Sequence, residues 1–429
     1  MTAAGATRTV VFAETAARTS RAYAPGLPVR QERTVRRGMC VETHTAAGGM
    51  RHAFADGAAL LGAPVPRLSP PAAAEARRAV TALPPEVCAA ADRALRERAR
   101  GDVRIVWSRY WQRVAAGAPE LLRADTRSLC TAEVQLLAAS HDARGGAALS
   151  VAVPWDVSRP EESAAALDAA VARLREAAAL PGRPLPRRPC PVVLDAGHAG
   201  AFFHELVGHP LEADAVLGRS SYLARRPGER VAPGWFTVDD GEGGARGGVS
   251  ARFDDEGTAV RQTRLIDAGR VAHPLTDTAS AALLGTPGSG HGRRLDYRHC
   301  VLPRMRHTVA SANRPAAAPP APLPSGVRLH PRGLQLRWMN ILSGDFEFAA
   351  ADAILVQDGA VTARTGPVRL TGTGLHVLAA LRPADTHPAA CGARATKGCG
   401  KLDQFPLPVS FANSTLWLPE GVLRADTPA

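Results

Sequence analysis

Short runs of alternating or apolar residues, separated by glycine and proline, predict strands over much of the chain. Residues 29–37 and 39–44 alternate roughly with period two, with a turn expected at Arg37-Gly38. Beyond Trp235 the same type of segment recurs at 236–239, 260–266, 334–338, 353–356, 368–370 and 416–418. These segments predict that a large curved antiparallel sheet dominates the C-terminal half.

Helical patterns are concentrated in the first 180 residues. Residues 72–83 and 85–100 are rich in Ala, Arg, Glu and Leu, and Ser158 followed by Glu161 and Glu162 is typical of a helix N-terminus, for a helix that continues to about residue 179. Strand-like pieces alternate with these helices, at 102–113, 128–140 and 147–153. The pattern predicts an α+β protein with a mixed N-terminal domain.

A proline-rich stretch suggests where the chain divides. Residues 181–191 contain five prolines, a composition typical of an extended linker. We therefore expect an N-terminal domain over residues 1–180, a linker over 181–191 and a C-terminal domain over 192–429. Within the C-terminal domain, the Ala- and Pro-rich residues 314–326 are expected to form an exposed loop or a disordered insertion.

Composition narrows the class of protein. The formal charge of +12 is carried by scattered arginines and accompanied by only 5% aromatic residues, which does not favour a nucleic-acid surface. Seven cysteines without a framework spacing argue against disulfides and for a reducing compartment. The first residues lack the apolar core of a signal peptide, and no apolar run reaches membrane-spanning length. We expect a soluble, cytoplasmic protein that binds neither nucleic acid nor membrane.

The strongest chemical signal is the stretch from Ala201 to Asp214, which follows a short apolar strand at 192–195. It contains His204, Glu205 and His209. Two imidazoles can bind Zn²⁺, and a neighbouring carboxylate can take a proton from metal-bound water, as in His-Glu-x-x-His metalloproteases. The spacing is one residue longer, so the imidazoles of a regular helix would diverge by about 140°.

A π-bulge would restore the convergence of the two imidazoles. Pro210 cannot donate to the Leu206 carbonyl, which leaves that carbonyl to accept from the Leu211 amide, and Gly208 permits local rewinding. The third ligand stays open on these grounds. Glu212 or Asp214 lies on the same helix, whereas Cys399 lies far away between glycines and lysines that favour a thiolate.

These residues and the segments after them resemble the TldD/PmbA (TldD/TldE) metallopeptidases. The family has a His-Glu-x-x-x-His helix followed by Leu-Glu-x-Asp and, much later, Cys-Gly-Lys, which corresponds here to 204–214 and 399–401. The segments between and around them occur in the family's order, at 254–258, 265–269, 290–294, 304–308, 344–348 and 354–359. Leu402 and Asp403 depart from the family's usual Gly-Gln, Ala213 replaces a usual glycine, and the N-terminal segment is short.

The resemblance implies roles for particular residues. His204, His209 and Cys399 would be the zinc ligands and Glu205 the catalytic base. Glu212 and Asp214 would then support the ligands, while Lys401, Arg293 and Arg294 are candidates for the substrate pocket, with Lys401 or an arginine stabilising an oxyanion.

The resemblance also implies an activity and a partner. It implies a zinc-dependent peptidase that cleaves unfolded small proteins or peptide precursors, as the zinc-bearing subunit of a heterodimer with a paralogue that lacks the zinc motif, or as a homo-oligomer. Two other hypotheses stay open: a non-catalytic scaffold with a structural zinc, and an arginine-rich nucleic-acid-binding protein.

Overall fold

The structure, a computed structural model, describes residues 8–45, 49–56, 68–137, 149–243, 248–313 and 322–428. Of residues 390–397 it describes the backbone only, so the side chain of Cys391 and most of the Ala- and Pro-rich segment 314–326 lie outside the described part. None of the helices within the described ranges is both long and apolar enough to cross a membrane.

The N-terminal residues form a six-stranded antiparallel sheet and three helices. Its strands are β1 (Arg8–Tyr23), β2 (Arg30–His44), β3 (Met50–Asp56), β4 (Val103–Ala118), β5 (Leu121–Leu136) and β6 (Ser150–Pro154), and the helices are α1 (Pro70–Thr81), α2 (Ala89–Arg98) and α3 (Pro160–Ala179). The order across the sheet is β3-β2-β1-β4-β5-β6. Within the described residues the predicted helices and strands are present, although Arg159, not Ser158, occupies the N-cap position of α3 and makes no side-chain hydrogen bond there. Residues 138–140 and 147–148 of the predicted strands lie outside the described part.

The two faces of this sheet have different partners. Ala76 of α1 packs with Ala115, and Leu95 of α2 and Leu167 of α3 pack with Trp107. Trp107 and Ala115 are eight residues apart on β4, so all three helices cover one face. The opposite face, which includes Phe12, Val114 and Ala116, packs against Tyr297 of the C-terminal half. The sheet therefore has a helical side and a side that meets the rest of the chain.

The prediction of a turn at Arg37-Gly38 is wrong. β2 runs without interruption from Arg30 to His44, and Gly38 pairs with Glu14 on β1 and Asp56 on β3. A Cβ atom on Gly38 would lie 2.4 Å from the ring of Tyr297. Glycine is needed at this position because an aromatic ring packs directly on the strand, which the sequence alone does not reveal.

The C-terminal residues form several sheets, of two to six strands each, around one continuous apolar core. The strands are β7 (Val192–Leu194), β8 (Phe236–Asp240), β9 (Thr263–Asp267), β10 (Arg270–Val271), β11 (Gly292–Arg293), β12 (Leu302–Pro303), β13 (His307–Ala312), β14 (Val327–Arg332), β15 (Gln335–Met339), β16 (Asp345–Ala350), β17 (Asp352–Gln357), β18 (Ala360–Arg364), β19 (Val368–Thr373), β20 (Arg382–Pro383), β21 (Ala389–Lys401), β22 (Gln404–Asn413), β23 (Leu416–Leu418) and β24 (Arg424–Asp426). The helices are α4 (Gly200–Phe203), α5 (Ala213–Leu217), α6 (Thr278–Leu284) and α7 (Gly374–Ala380).

The predicted α+β class is confirmed, but the strands do not form one antiparallel sheet. They assemble as β10-β9-β8-β13-β22-β21, β18-β17-β14-β7-β23-β20, β15-β16-β19-β24 and the pair β11-β12. Two neighbouring pairs, β7 with β14 and β13 with β22, are parallel. A parallel pair joins strands that are distant in sequence through a crossover, so local patterns cannot predict it.

Residues 181–191 contain no helix or strand beyond one isolated bridge between Gly182 and Arg364, in keeping with an extended segment. The chain then enters β7 and the helix with the two histidines. The apolar side chains of this helix, Phe202, Phe203, Leu206 and Val207, are fully buried in the core. The packing of these four side chains fixes the orientation of the two polar residues between them, His204 and Glu205.

Candidate metal centre

The helix that follows β7 changes its winding at the histidines. After α4 ends at Phe203, residues His204–Gly208 form a π-helical turn and His209–Leu211 a 3-10 turn, before α5 begins at Ala213. The His209 amide donates to the His204 carbonyl, five residues earlier. Because a π turn accommodates one additional residue, positions five apart come to one side of the helix. The π turn predicted from the spacing is therefore present.

Neighbouring residues show how this turn is stabilised. The Leu206 carbonyl, which we expected to accept from the Leu211 amide, accepts a hydrogen bond from the Tyr222 hydroxyl. A Cβ atom on Gly208 would lie 1.7 Å from the sulfur of Met305, so any larger residue would displace that buried side chain. The turn is thus held by tertiary contacts as well as by its own sequence.

Three metal-binding atoms converge where β21 passes this turn. The ligand atoms of His204, His209 and Cys399 all lie within 4.8 Å of one another. The Cys399 Sγ atom is 3.1 Å from His209 Nε2, and the two imidazole centroids are 5.3 Å apart. His204 Nε2 is buried and has no hydrogen-bond partner among the described residues, which costs free energy unless a ligand occupies that position. Two imidazoles and a thiolate are typical zinc donors, so the residues fit this ion.

A carboxylate fixes the orientation of His209. Its Nδ1 atom lies 2.9 Å from Glu212 Oε2, and that oxygen also accepts from the Lys401 ammonium at 2.9 Å. Lys401 donates to Asp214 as well, at 2.6 Å, and the buried Arg304 lies 3.7 Å from the other Glu212 oxygen. With Nδ1–H donated to a carboxylate, Nε2 is the nitrogen that faces Cys399 and is the one available to a metal ion.

A second chain of hydrogen bonds fixes His204. Its Nδ1 atom is 3.0 Å from the Thr308 hydroxyl, which donates to Asp240 Oδ2 at 2.7 Å. Since the single hydroxyl proton points to Asp240, the hydroxyl must accept from His204 Nδ1–H, and Nε2 carries the lone pair. The other Asp240 oxygen accepts from the Arg306 amide at 2.7 Å and lies 3.2 Å from His291 Nε2. Both imidazoles are thus oriented to present Nε2.

Charges at the cluster favour a thiolate. Burial raises the pKa of the Cys399 thiol, but the imidazoles of His209 and His204 outweigh burial and hold that pKa well below its usual range. Burial lowers the pKa of His209, and Cys399 with Glu212 more than reverses this shift. A thiolate is the form of cysteine that binds metals.

Glu205 is placed beside the cluster and is the more accessible carboxylate. Its Oε2 atom lies 3.7 Å from His209 Nε2, and its side chain is 21% exposed, whereas that of Glu212 is 1% exposed. Burial raises the pKa of Glu205, and the opposing effect of His209 and His204 is smaller. A carboxylate in this position can exchange protons with a molecule bound at the three donors.

The other predicted pocket residues have different surroundings. Arg293 is buried and donates to the carbonyls of Met305 and Pro408, and Arg294 is paired with Glu42 at 3.0 Å. Among the described hydrogen bonds and ion pairs, none joins either arginine to His204, His209 or Cys399. Both arginines therefore connect parts of the fold, and the structure does not bring them to the cluster.

Four residues support His204 or His209 through hydrogen bonds or charge without being predicted as site residues: Thr308, Asp240, His291 and Arg304. Thr308 and Arg304 lie in segment 304–308 and His291 in segment 290–294, both of which resemble the family, and this was the available signal. Asp240 follows a predicted strand by a single residue, and nothing local distinguishes it from other strand ends.

A separate cavity of about 420 Å³ lies between the N-terminal sheet and the start of this helix. Its lining includes His198, Ala201, Asp352 and Phe411. Among the described residues that line it, the three donors and Glu205 do not occur. The Phe411 ring, 4.9 Å from that of His204, lines the cavity and contacts the centre. We place the chemistry at the donors and not in the cavity, because the reactive groups converge only there.

Comparisons with known proteins match the second half of the chain to a family of metallopeptidases. Residues 187–399 match the family described as PmbA/TldA metallopeptidase C-terminal domain. A "Metalloprotease TldD homolog" of Haemophilus influenzae is 34% identical over 201 residues, covering 44% of this chain and 39% of the relative. A "Zinc metalloprotease TldD homolog" of Saccharolobus solfataricus is 28% identical over 197 residues, covering 44% and 42%. The match thus spans about two fifths of these relatives' length.

Solved structures extend the similarity of fold over nearly the whole chain. TldE from Thermococcus kodakarensis has a TM-score of 0.65 at 13% identity, covering 97% of this chain and 96% of its own. A proposed modulator of a DNA gyrase from Thermotoga maritima has a TM-score of 0.67 at 13% identity, covering 98% and 96%. The family that matches is described as one of metallopeptidases. The chain belongs to the TldD/PmbA family.

Proposed function

We propose that this chain is a zinc-dependent peptidase whose metal ligands are His204, His209 and Cys399. The observation that carries the proposal is the convergence of these three donors within 4.8 Å, with a nitrogen on His204 that is buried and unpaired within the described part of the chain. Each imidazole is oriented by its own hydrogen-bond chain, as metal-binding histidines commonly are. The relative from Saccharolobus solfataricus, which is named a zinc metalloprotease, supports the choice of metal.

Three protein donors leave the fourth position of a tetrahedral site open, as in catalytic zinc sites, whereas structural sites are closed by a fourth protein ligand. This favours a peptidase over the scaffold hypothesis. When bound, zinc would polarise a peptide carbonyl and lower the pKa of a water to about 7.

Glu205 is the group that would move the proton. Its carboxylate is the partly exposed one beside His209 Nε2, at 3.7 Å, so a molecule bound at the donors can reach it. Glu205 would accept the proton of the attacking water and pass it to the leaving amine. The buried Glu212, which is held by His209 and Lys401, would orient the ligand instead.

The contacts of Lys401 do not favour the role in oxyanion stabilisation that the sequence suggested. Its ammonium donates to Glu212, Asp214 and the Pro303 carbonyl, at 2.9, 2.6 and 3.4 Å. An ammonium with these partners is not available to a substrate oxygen, so we assign Lys401 to the support of Glu212.

For substrate and assembly we propose an extended, unfolded peptide and a heterodimer with a paralogue that lacks the zinc motif. The similarity of fold to TldE from Thermococcus kodakarensis is the support for such a partner. An extended peptide could add as a strand to a free sheet edge. The edge would then bind the peptide mainly through backbone hydrogen bonds and depend little on its side chains. β21 is one such edge in the described sheets and carries Cys399.

One observation favours a second candidate, a cysteine hydrolase. Cys399 Sγ lies 3.1 Å from His209 Nε2, and Glu212 holds His209 Nδ1, which is the arrangement of a nucleophile, a base and an orienting carboxylate. His204 argues against this reading, because a triad gives no use to its Nε2, which is buried without a partner among the residues described. The metal site accounts for all of these atoms.

The test combines metal content with cleavage of casein or an unfolded peptide, each measured with and without a candidate partner subunit. Glu205→Ala should retain zinc and lose cleavage, whereas Cys399→Ala should lose both. His204→Ala separates the two candidates, since it should abolish zinc binding and cleavage in a metallopeptidase but spare a cysteine triad. Cleavage that persists in Glu205→Ala, or in wild type after chelation, would contradict the zinc mechanism.

A further inference from the structure

A second group of metal-binding atoms lies where β2 and β3 meet the loop before β12. Glu42 on β2 pairs with His52 on β3, so their side chains share one face of the sheet. Cys300 reaches them from the loop, and the ligand atoms of the three residues lie within 4.8 Å of one another. A carboxylate, an imidazole and a thiol in contact form a set of zinc donors.

The hydrogen bonds of His52 require a proton or a metal ion between its Nδ1 atom and Glu42. Its Nε2 atom lies 3.2 Å from the Tyr297 carbonyl, which can only accept, so Nε2 must carry a hydrogen. A neutral His52 then directs the lone pair of Nδ1 at Glu42 Oε1, only 3.1 Å away. Two lone pairs at that distance repel each other unless a proton or a metal ion lies between them.

His44 is a further imidazole near Glu42, on the same face of the sheet. It lies two residues beyond Glu42 on β2, so both side chains point to one side of the sheet. Its Nε2 atom is buried, has no hydrogen-bond partner in the described ranges and lies 3.9 Å from Glu42 Oε2. His44 is outside the group of three whose ligand atoms lie within 4.8 Å of one another, so it is a second imidazole near Glu42 and not a member of the donor set.

Arg294 is the cation that competes with this interpretation. Its Nη1 and Nη2 atoms lie 3.0 and 3.3 Å from the two Glu42 oxygens, so Glu42 already has a charged partner. The Arg294 guanidinium also contacts the Cys40 sulfur, the His299 carbonyl and the Asp255 carbonyl. Glu42 Oε1 also accepts from the Val301 amide, at 3.2 Å. Arg294 and Val301 thus orient Glu42, but these contacts do not involve His52 Nδ1 or the Cys300 thiol.

From this geometry we infer that Glu42, His52 and Cys300 bind a second Zn²⁺ ion. It would join the β2–β3 edge of the N-terminal sheet to the loop that carries Cys300 in the C-terminal half. His52 and Cys300 are only partly buried, which gives the ion a route of entry.

Zinc stoichiometry of the full chain tests this inference. Protein stripped with a chelator and reloaded with Zn²⁺ alone should hold two ions per chain. Cys300→Ser should hold one, and the pair His204→Ala with Cys399→Ala should also hold one, because each removes a different site. Cys190→Ser is the matched control: this free cysteine is also partly buried, and the variant should keep both ions.

The outcomes separate this site from the proposed active site. Loss of all zinc in the His204→Ala, Cys399→Ala variant would overturn the second site, and so would two ions retained in Cys300→Ser. If Cys300→Ser does not fold, alkylation of wild-type thiols followed by peptide mapping gives the answer. Zn²⁺ should slow the modification of Cys300 by at least about tenfold while leaving Cys190 unchanged. Equal rates for Cys300 with and without Zn²⁺ would show that His52 simply carries a second proton.

Discussion

Arg304 is a residue whose surroundings are explained only by the metal centre. It is fully buried, none of its three guanidinium nitrogens has a hydrogen-bond partner among the described residues, and its Nε atom lies 3.7 Å from Glu212 Oε1. A buried cation without hydrogen bonds costs free energy, so its charge must offset that of a neighbour. The neighbour is Glu212, which in turn holds His209.

Replacement of this charge should weaken zinc binding. In Arg304→Met a side chain of similar length fills the space, but Glu212 loses one of its two cationic neighbours and holds His209 less firmly. We expect the zinc dissociation constant to rise about 10- to 100-fold, as for other residues that support metal ligands. Arg304→Lys keeps the charge and should recover most of the affinity. An Arg304→Met protein that is folded and binds zinc like wild type would refute this role.

At the scale of the element, the π turn depends on the close contact between Gly208 and Met305. Gly208→Ala would place a methyl group against the Met305 sulfur, and we expect the free energy of unfolding to fall by roughly 1–3 kcal/mol, with weaker zinc binding. Urea denaturation measures the first effect and zinc titration the second. Gly182→Ala is the control, because no described atom lies within 4 Å of its added methyl group.

A double substitution shows whether the clash is the cause. Met305→Ala removes the side chain that the added methyl group would meet and is itself destabilising, since Met305 is fully buried. In that background the additional cost of Gly208→Ala should be smaller than in wild type. If the two costs simply add, the contact with Met305 does not determine the turn.

The same elements show what a sequence can predict. The π turn could be predicted because the five-residue spacing of His204 and His209 is local, whereas its contacts with Tyr222 and Met305 could not. Cys399 lies on β21, 190 residues after His209 in the sequence, and contacts the turn only in the folded protein. The resemblance to a family was needed to choose it as the third ligand. Thr308 and Asp240 orient His204 through the pairing of β8 with β13, and hydrogen bonds across strands leave no local pattern.

Whole-molecule stability should depend on pH through acids buried where the N-terminal sheet meets the C-terminal half. Glu14 on β1 is fully buried and accepts from the Gln112 amide at 2.7 Å and the Tyr297 amide at 3.0 Å. Burial raises its pKa to about 7, whereas an exposed glutamate has a value of 4.5. The folded state therefore binds this proton more tightly than the unfolded state.

The sign of the pH dependence follows from that difference. The stabilisation by protonated Glu14 is complete below about pH 4.5 and is lost as the pH rises to about 7, a change of about 3 kcal/mol at about 1.4 kcal/mol per pH unit. Urea denaturation of wild type at pH 5 and pH 8 should show stability falling with pH. Glu14→Gln cannot ionise, so its stability should fall by less over the same range, whatever its absolute value. If the variant and wild type lose the same stability between pH 5 and pH 8, Glu14 is not the group that couples proton binding to the packing of the two halves.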